Sequence, residues 1–375
     1  MRDSRCYWVG FNLVKGIGAV RMQMLLDHFG DIQLAWQASP QALQAAGLNS
    51  KLEEHFIQLR AGVDLDQVWE STQAQGIKVL TWLDEGYPRR LKEIDQSPPV
   101  LYIRGELSTD DDWAVAIVGT RRVTPYGRQV TEEIATSLAH HGLTVISGLA
   151  RGVDAIAHFA ALNAGRRTLA VLGNGVDRIY PTEHHRLAEK IIQSGALVSD
   201  YPPGTAPEGV NFPPRNRIIS GLSLAVIVVE AGEKSGALIT ANFAAEQGRD
   251  VFAVPGNINA PQSVGTNRLI QQGAHPYLSV QDLIDNLNLH MVGEQRLARS
   301  VLPSDAVEAK FLALLADQPL HVDEISNQSE TPISVVTSTL ALMELKGMVR
   351  QVGGMQYVAV RELAENYEVK GKKDE

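Results

Sequence analysis

The chain has 375 residues, 44% of them hydrophobic and 21% charged, which fits two to four globular domains at roughly 100–200 residues each and excludes a disordered chain, a collagen and a disulfide scaffold. The single cysteine, Cys6, leaves no internal disulfide or thiolate metal cluster; the absence of a long apolar run or a leader pattern makes the reducing cytoplasm the expected compartment, with no membrane partner. The net charge of −9 is uneven: residues 1–113 carry 11 basic and 16 acidic side chains, 114–200 carry 9 and 7, 201–281 carry 5 and 5, and 282–375 carry 9 and 15, so a polyanion site is expected as a local pocket in the middle of the chain rather than as a generally basic face.

Residues 1–80 read as a helical domain resembling a helix-hairpin-helix or sterile-alpha-motif bundle. Apolar residues Val20, Met24, Leu25 and Leu26 follow Gly16-Ile17-Gly18, and Gly30 is a stop signal. A second helix enters through Ser39-Pro40 and a third fits Glu53 to Leu59. A Gly-x-Gly turn can donate backbone amides to a phosphate, but the acidic balance of the segment favours a purely structural turn. Residues 81–112 read as a connector after an extended piece at Ile77 to Trp82. Tyr87-Pro88 and Pro98-Pro99 break any helix, Val100 to Ile103 is a further extended piece, and Asp110 to Asp112 form a solvated run.

From Trp113 the periodicity changes. Continuous apolar runs occur at Trp113 to Val118, Leu143 to Ile146, Thr168 to Leu172, Ala196 to Val198, Leu224 to Val229 and Val251 to Val254. Amphipathic stretches such as Gly127 to His141, Val153 to Ala164, Glu183 to Ser194 and Ala237 to Gln247 separate them. Buried strands alternating with helices predict an α/β fold, a Rossmann-like doubly wound parallel sheet over about 113–281. After a linker at 282–303, helices at Ala306 to Leu315, from Val322, and from Pro332 to Lys346, stopped by Gly347, precede a hairpin around Gly353-Gly354. That pattern predicts a C-terminal winged helix over 304–361, followed by a flexible tail at 362–375. The third helix carries one basic residue, Lys346, and Arg350 and Arg361 lie near the wing. The module is therefore expected to serve protein contact or regulation rather than duplex binding.

The loops after the strands carry the candidate site. Gly119-Thr120-Arg121-Arg122 couples a strand end, a helix N-terminus and two bidentate donors. Ser147-Gly148, with Arg151, lies on the next loop, followed by Asp154, which could cap a helix or orient an arginine, and by His158, read as structural. Glu183, His184 and His185 invite a metal reading, but adjacent histidines diverge on a helix, so no metal is expected. Phe212 could stack on a base, and Arg215, Asn216 and Arg217 supply phosphate and base-edge donors. Lys234-Ser235 lacks the Gly-x-x-x-x-Gly-Lys of a P-loop, so nucleotide hydrolysis by that route is not expected, although the turn at Ser235-Gly236 keeps an anion-binding geometry.

Taken together, Val118-Gly119-Thr120-Arg121-Arg122, Ser147 to Asp154, Phe212 to Ser220 and Ala253-Val254-Pro255-Gly256-Asn257 resemble the DNA-processing protein A family (DprA, also called Smf). Tyr87-Pro88 and Leu101 to Gly105 fit its upstream segment. The resemblance is specific over residues 87–277 and looser in the flanks. It implies a cytoplasmic, homodimeric protein, and the residues themselves, with no P-loop and no metal cluster, lead to the expectation of a non-catalytic one without a cofactor. Such a protein binds single-stranded DNA and loads the recombinase RecA during natural transformation. The alternative is a nucleotide-binding enzyme or sensor related to the phosphoribohydrolases. Their Pro-Gly-Gly motif and catalytic glutamate have no counterpart in Glu230 to Thr240.

Overall fold

The apolar runs fold into one nine-stranded sheet. In chain order its strands are β1 (Lys78–Thr81), β2 (Val100–Gly105), β3 (Ala114–Val118), β4 (Thr144–Ser147), β5 (Thr168–Val171), β6 (Ala196–Ser199), β7 (Ala225–Val228), β8 (Asp250–Ala253) and β9 (His275–Pro276). Their spatial order is β1-β2-β6-β5-β4-β3-β7-β8-β9. From β6 to β9 every neighbouring pair is parallel, while β2 lies antiparallel to β6 and β1 antiparallel to β2. This computed structural model describes residues 3–287, 289, 306–315, 320–329, 331–345 and 348–359.

Every residue of β3 through β7 is buried. Both faces are covered, which is why these strands read as unbroken apolar runs rather than alternating ones. The helices are α8 (Pro125–His140), α9 (Val153–Asn163), α10 (His185–Ser194), α11 (Phe212–Gly221), α12 (Gly236–Glu246), α13 (Val264–Gln271) and α14 (Val280–Asn286). After β6 the chain returns to the other side of β3 to lay down β7. This reversal leaves a crevice beyond the carboxyl ends of β3 and β7, the usual ligand position in open α/β sheets.

The segment expected to be a connector, 81–112, does more than connect. Its strand β2 and the preceding β1 form a hairpin that extends the sheet beyond β6, so the sheet is not confined to 113–281. The strand pair could be read as two extended pieces, but its partner β6 lies far along the chain. Nor do the N-terminal helices stand apart. They are α1 (Arg5–Leu13), α2 (Ala19–Phe29), α3 (Ile32–Gln37), α4 (Pro40–Ala45), α5 (Ser50–Gly62) and α6 (Leu65–Ala74), with the short α7 (Arg89–Lys92) inside the connector. Trp8, Phe11, Leu25 and Phe56 belong to one apolar cluster with Tyr102, Leu172, Leu187 and Leu197 of the sheet layer. Contacts divide the chain into two compact units, Met1–Leu287 and Asn288–Glu375.

The second unit contains α15 (Ala306–Leu314), β10 (Leu320–His321), α16 (Val322–Ser329), α17 (Ile333–Leu345), β11 (Val349–Gly353) and β12 (Gln356–Ala359). The wing is three-stranded, in the order β10-β12-β11, because two residues before α16 pair with β12. Phe311, Ile325, Val336, Leu340 and Met343 form its core. The linker beyond 289, Lys346, the stop at Gly347, Arg361 and the tail at 362–375 lie outside the described residues.

Candidate nucleic-acid interface

A cavity of about 760 Å³ opens at the crevice between β3 and β7. Its walls are Gly119 to Arg122 after β3, Gly232 to Ala237 after β7, and the start of α11 at Phe212, Arg215 and Asn216. The loop after β3 must run close to its neighbours. A Cβ on Gly119 would lie 2.6 Å from Val153 Cγ2 and 3.1 Å from the Glu230 carbonyl oxygen. Gly152, opposite, has φ of 78°, a backbone conformation that strains any side chain. These close approaches press the 119–122 and 148–152 loops together and leave the side chains of Arg121 and Arg122 in solvent.

Three cations on this rim are exposed and have no ion pair among the described residues: Arg121, Arg122 and Lys234. Phe212 is half-buried, and Tyr180 stacks on it with ring centroids 5.7 Å apart and planes 27° apart. The Arg121 guanidinium lies 5.7 Å from the Phe212 centroid, within cation–π range. Ser235 caps α12, accepting from the Ala237 amide at 3.3 Å. Asn216 Nδ2 donates to the Gly236 carbonyl at 3.3 Å and so joins α11 to that turn.

Arg215 and Arg217 stand differently from the expectation. Arg215 is 5% exposed. Its Nη1 donates to the carbonyls of Gly148, at 2.9 Å, and Val171. Burial lowers its pKa to about 10, with the nearby Asp154 carboxylate working the other way. Arg217 is held by Asp200 at 2.7 Å. Their charges are engaged within the protein: Arg215 braces the wall of the cleft, and Arg217 lines a neighbouring crevice beside Asp200. The same holds for Ser147, fully buried with its hydroxyl donating to the Ile117 carbonyl at 2.6 Å, and for Gly148, whose amide donates to Asp154. Arg151 is exposed but is paired with Glu183 at 2.5 Å. Of these partnerships only that of Gly148 with Asp154 is local; the partners of Arg215, Arg217, Ser147 and Arg151 come from other strands or loops.

The carboxylates around the cleft are likewise committed. Asp154 Oδ2 accepts from the amides of Gly148 and Ala150. Its burial raises its pKa, opposed chiefly by the Arg215 charge. Glu230 is 3% exposed and takes the Thr124 amide at 3.0 Å and the Thr124 hydroxyl at 2.5 Å. The N-terminus of α8 was expected to attract an anion. It already faces this carboxylate, and a Cβ on Gly127 would fall 2.3 Å from Glu230 Oε2. Anion affinity in the first loop must therefore come from the arginine side chains. Glu233 pairs with Arg268 at 3.2 Å.

His158 is the structural histidine expected. It is fully buried, its Nδ1 is 2.7 Å from Thr168 Oγ1, and desolvation, aided by His184 and Arg215, lowers its pKa to about 3. His184 Nδ1 meets the Leu149 carbonyl and His185 pairs with Glu189, so the Glu183-His184-His185 run points three ways. No metal-holding cluster occurs among the described residues. Tyr180 was missed as a site residue. Its signal was its place on the long loop after the third core strand, but only the fold brings that loop over Phe212.

Comparison with known proteins follows the same division of the chain. The model of the DNA recombination-mediator protein A family matches residues 78–288, and that of the DprA winged helix domain matches residues 295–355. Protein Smf of Synechocystis sp. is 37% identical, covering 95% of this chain and 98% of its own. The X-ray structure of DNA processing protein A from Streptococcus pneumoniae superposes with a TM-score of 0.67 at 34% identity, over 75% of this chain and 97% of that one. DNA processing protein A of Helicobacter pylori, whose structure concerns its single-stranded DNA binding mode, superposes with a TM-score of 0.51 at 35% identity, over 56% and 95%.

Proposed function

The chain belongs to the DNA recombination-mediator protein A family, and from that premise we propose that it binds single-stranded DNA in the cleft between β3 and β7, without catalysis or a cofactor. Arg121, Arg122 and Lys234 take backbone phosphates. The Tyr180–Phe212 stack takes a base, and Gly119, Asn216 and Ser235 shape the floor. Arg215, Arg217, Ser147, Gly148 and Arg151 hold the walls. The protein acts as a homodimer in the cytoplasm and passes the strand to RecA during recombination and natural transformation.

The observation that carries this reading is the grouping of three exposed cations, without an ion pair among the described residues, around a stacked aromatic pair. Cations along the backbone with an aromatic face for the bases is the general solution for sequence-tolerant binding of single strands. Among the described residues no helix is long and apolar enough to cross a membrane. Against the nucleotide-enzyme alternative, the cleft carboxylates Asp154, Glu230 and Glu233 each have a partner within the protein.

The test is equilibrium binding of the full chain to single- and double-stranded oligonucleotides across a salt series. Preference for the single strand is expected. Arg121→Ala with Arg122→Ala should flatten the salt dependence by roughly 0.7 for each lost phosphate contact. Folded variants with unchanged slopes would remove both arginines from the interface.

A further inference from the structure

The N-terminal segment is acidic overall, yet its cations are sorted. Arg5 pairs with Asp3 and Asp84, Lys78 pairs with Glu106, and Arg60 donates to the carbonyls of Trp36 and Ala38. The others between residues 3 and 80 are Lys15, Lys51 and Arg21, the last held only by the nearby Gly16 carbonyl. All three are exposed, have no ion pair among the described residues, and line one groove of about 420 Å³. Glu54 is the one carboxylate in that lining. Gly16, at the turn before α2, lines the groove as well. Helix α2 starts just after it with no side-chain cap and no acidic residue in its first turn.

This groove does not stand alone. Lys15, Gly16 and Arg21 also line a larger crevice of about 850 Å³ between the α1–α2 turn and the loop after β6. Asp200 and Arg217 line that crevice, and each has a buried polar atom, Oδ1 and Nη1, without a protein partner. Its far wall is Glu208, Asn211 and Pro214, while the neighbouring Gly209, Phe212 and Pro213 line the cleft between β3 and β7. One segment, 207–214, thus separates the two cavities, and the aromatic pair sits at its end.

From this continuity we infer that the Lys15–Arg21–Lys51 groove is a second phosphate-binding stretch for the same single strand, which leaves the cleft across residues 207–214. The inference rests on the proposed strand binding in the cleft. The groove has no Phe, Tyr or Trp in its lining, where His55 is the one ring, and it takes backbone rather than bases. It lengthens the occluded site without adding sequence preference. The polyanion source is a nucleic acid strand already anchored at the cleft. An acidic segment of a protein would show no dependence on strand length.

The test compares the full-length protein with the Lys15→Gln, Arg21→Gln, Lys51→Gln triple variant. The probes are oligothymidylates of about 6 and about 25 nucleotides, bracketing the site sizes of single-strand binders. The triple variant is expected to bind the short strand as the parent does, to bind the long strand at least tenfold more weakly at low salt, and to lose roughly 2 from the long-strand salt slope. Because Arg21 also donates to the Gly16 carbonyl at 2.6 Å, Lys15→Gln with Lys51→Gln is measured alongside. It should lose about two-thirds of that slope change, roughly 1.4. An unchanged long-strand slope in both variants overturns the inference. A parent that binds neither strand overturns the cleft reading instead.

Discussion

The start of α11 and the loop after β3 each carry a pair of basic side chains near the cleft, and the fold uses them oppositely. On α11, Arg215 is buried against two carbonyls and Asp154, and Arg217 is clasped by Asp200. On the β3 loop, Arg121 and Arg122 reach solvent with no acidic partner among the described residues. A guanidinium that gives up its water for protein acceptors is spent on structure. One that keeps its water can exchange it for phosphate, with release of counterions as the driving force. The difference is set by neighbours: the Gly148 carbonyl just past β4 and the Val171 carbonyl of β5 meet Arg215, whereas the side chains of Arg121 and Arg122 stay in solvent.

Removing Arg215 should have the largest effect. Arg215→Met leaves the Asp154 carboxylate buried without its counter-charge, a loss of about 3–5 kcal/mol of stability. Urea unfolding measures it, and a loss below about 1 kcal/mol would erase the contrast between the two arginine pairs. Next comes acid sensitivity behind the same wall. His158 stays neutral in the folded state down to about pH 3, while an unfolded histidine takes a proton near 6.5. Its contribution is whole above pH 6.5 and is lost as pH falls toward 3. His158→Asn should therefore flatten the stability profile across that window, whatever it does to stability at neutral pH. If the slope is unchanged, His158 is not held neutral.

Phe212→Leu keeps an apolar body at the Gly173 contact but ends the stack with Tyr180. Single-strand affinity should fall by roughly 1–3 kcal/mol, the usual value of one base–aromatic stack. Equal binding by this variant would limit the cleft to phosphate recognition. The smallest expected change in stability sharpens the comparison most. Arg121→Ala with Lys234→Ala should unfold within about 0.5 kcal/mol of the parent, while its salt slope for single strands falls by roughly 1.4. Destabilisation instead of a slope change would mean that these cations, too, belong to the framework.

Much of the frame could be read before the fold was known. Strands β3 to β8 coincide with the six apolar runs, because a strand covered on both faces leaves an uninterrupted hydrophobic stretch. Helix α1 was not legible. Cys6 to Phe11 are all buried, so the segment lacks the polar face that gives a helix its period. The hairpin of β1 and β2 was legible as extended chain but not as part of the sheet, since nothing near Val100 points to β6. The site divided in the same way. Gly119, Arg121, Arg122, Phe212 and Lys234 could be picked out as residue types in strand-end loops. Which arginines were free could not, because Asp154, Asp200 and the Val171 carbonyl reach them only through tertiary structure.

The reversal of strand order also has a consequence for how the molecule is made. Val115 pairs with Ala225 in the finished sheet, and Glu230 then reaches back to Thr124. As the chain leaves the ribosome at roughly 5–20 residues per second, β3 waits about 5–20 s for that second neighbour. During that interval one edge of a wholly apolar strand is open, the condition under which nascent chains join one another. At the other flank β2 waits in the same way for β6. Both walls of the sheet thus close late, β2 first and β3 last, and a chain ending before β7 would have no cleft and an open β3 edge.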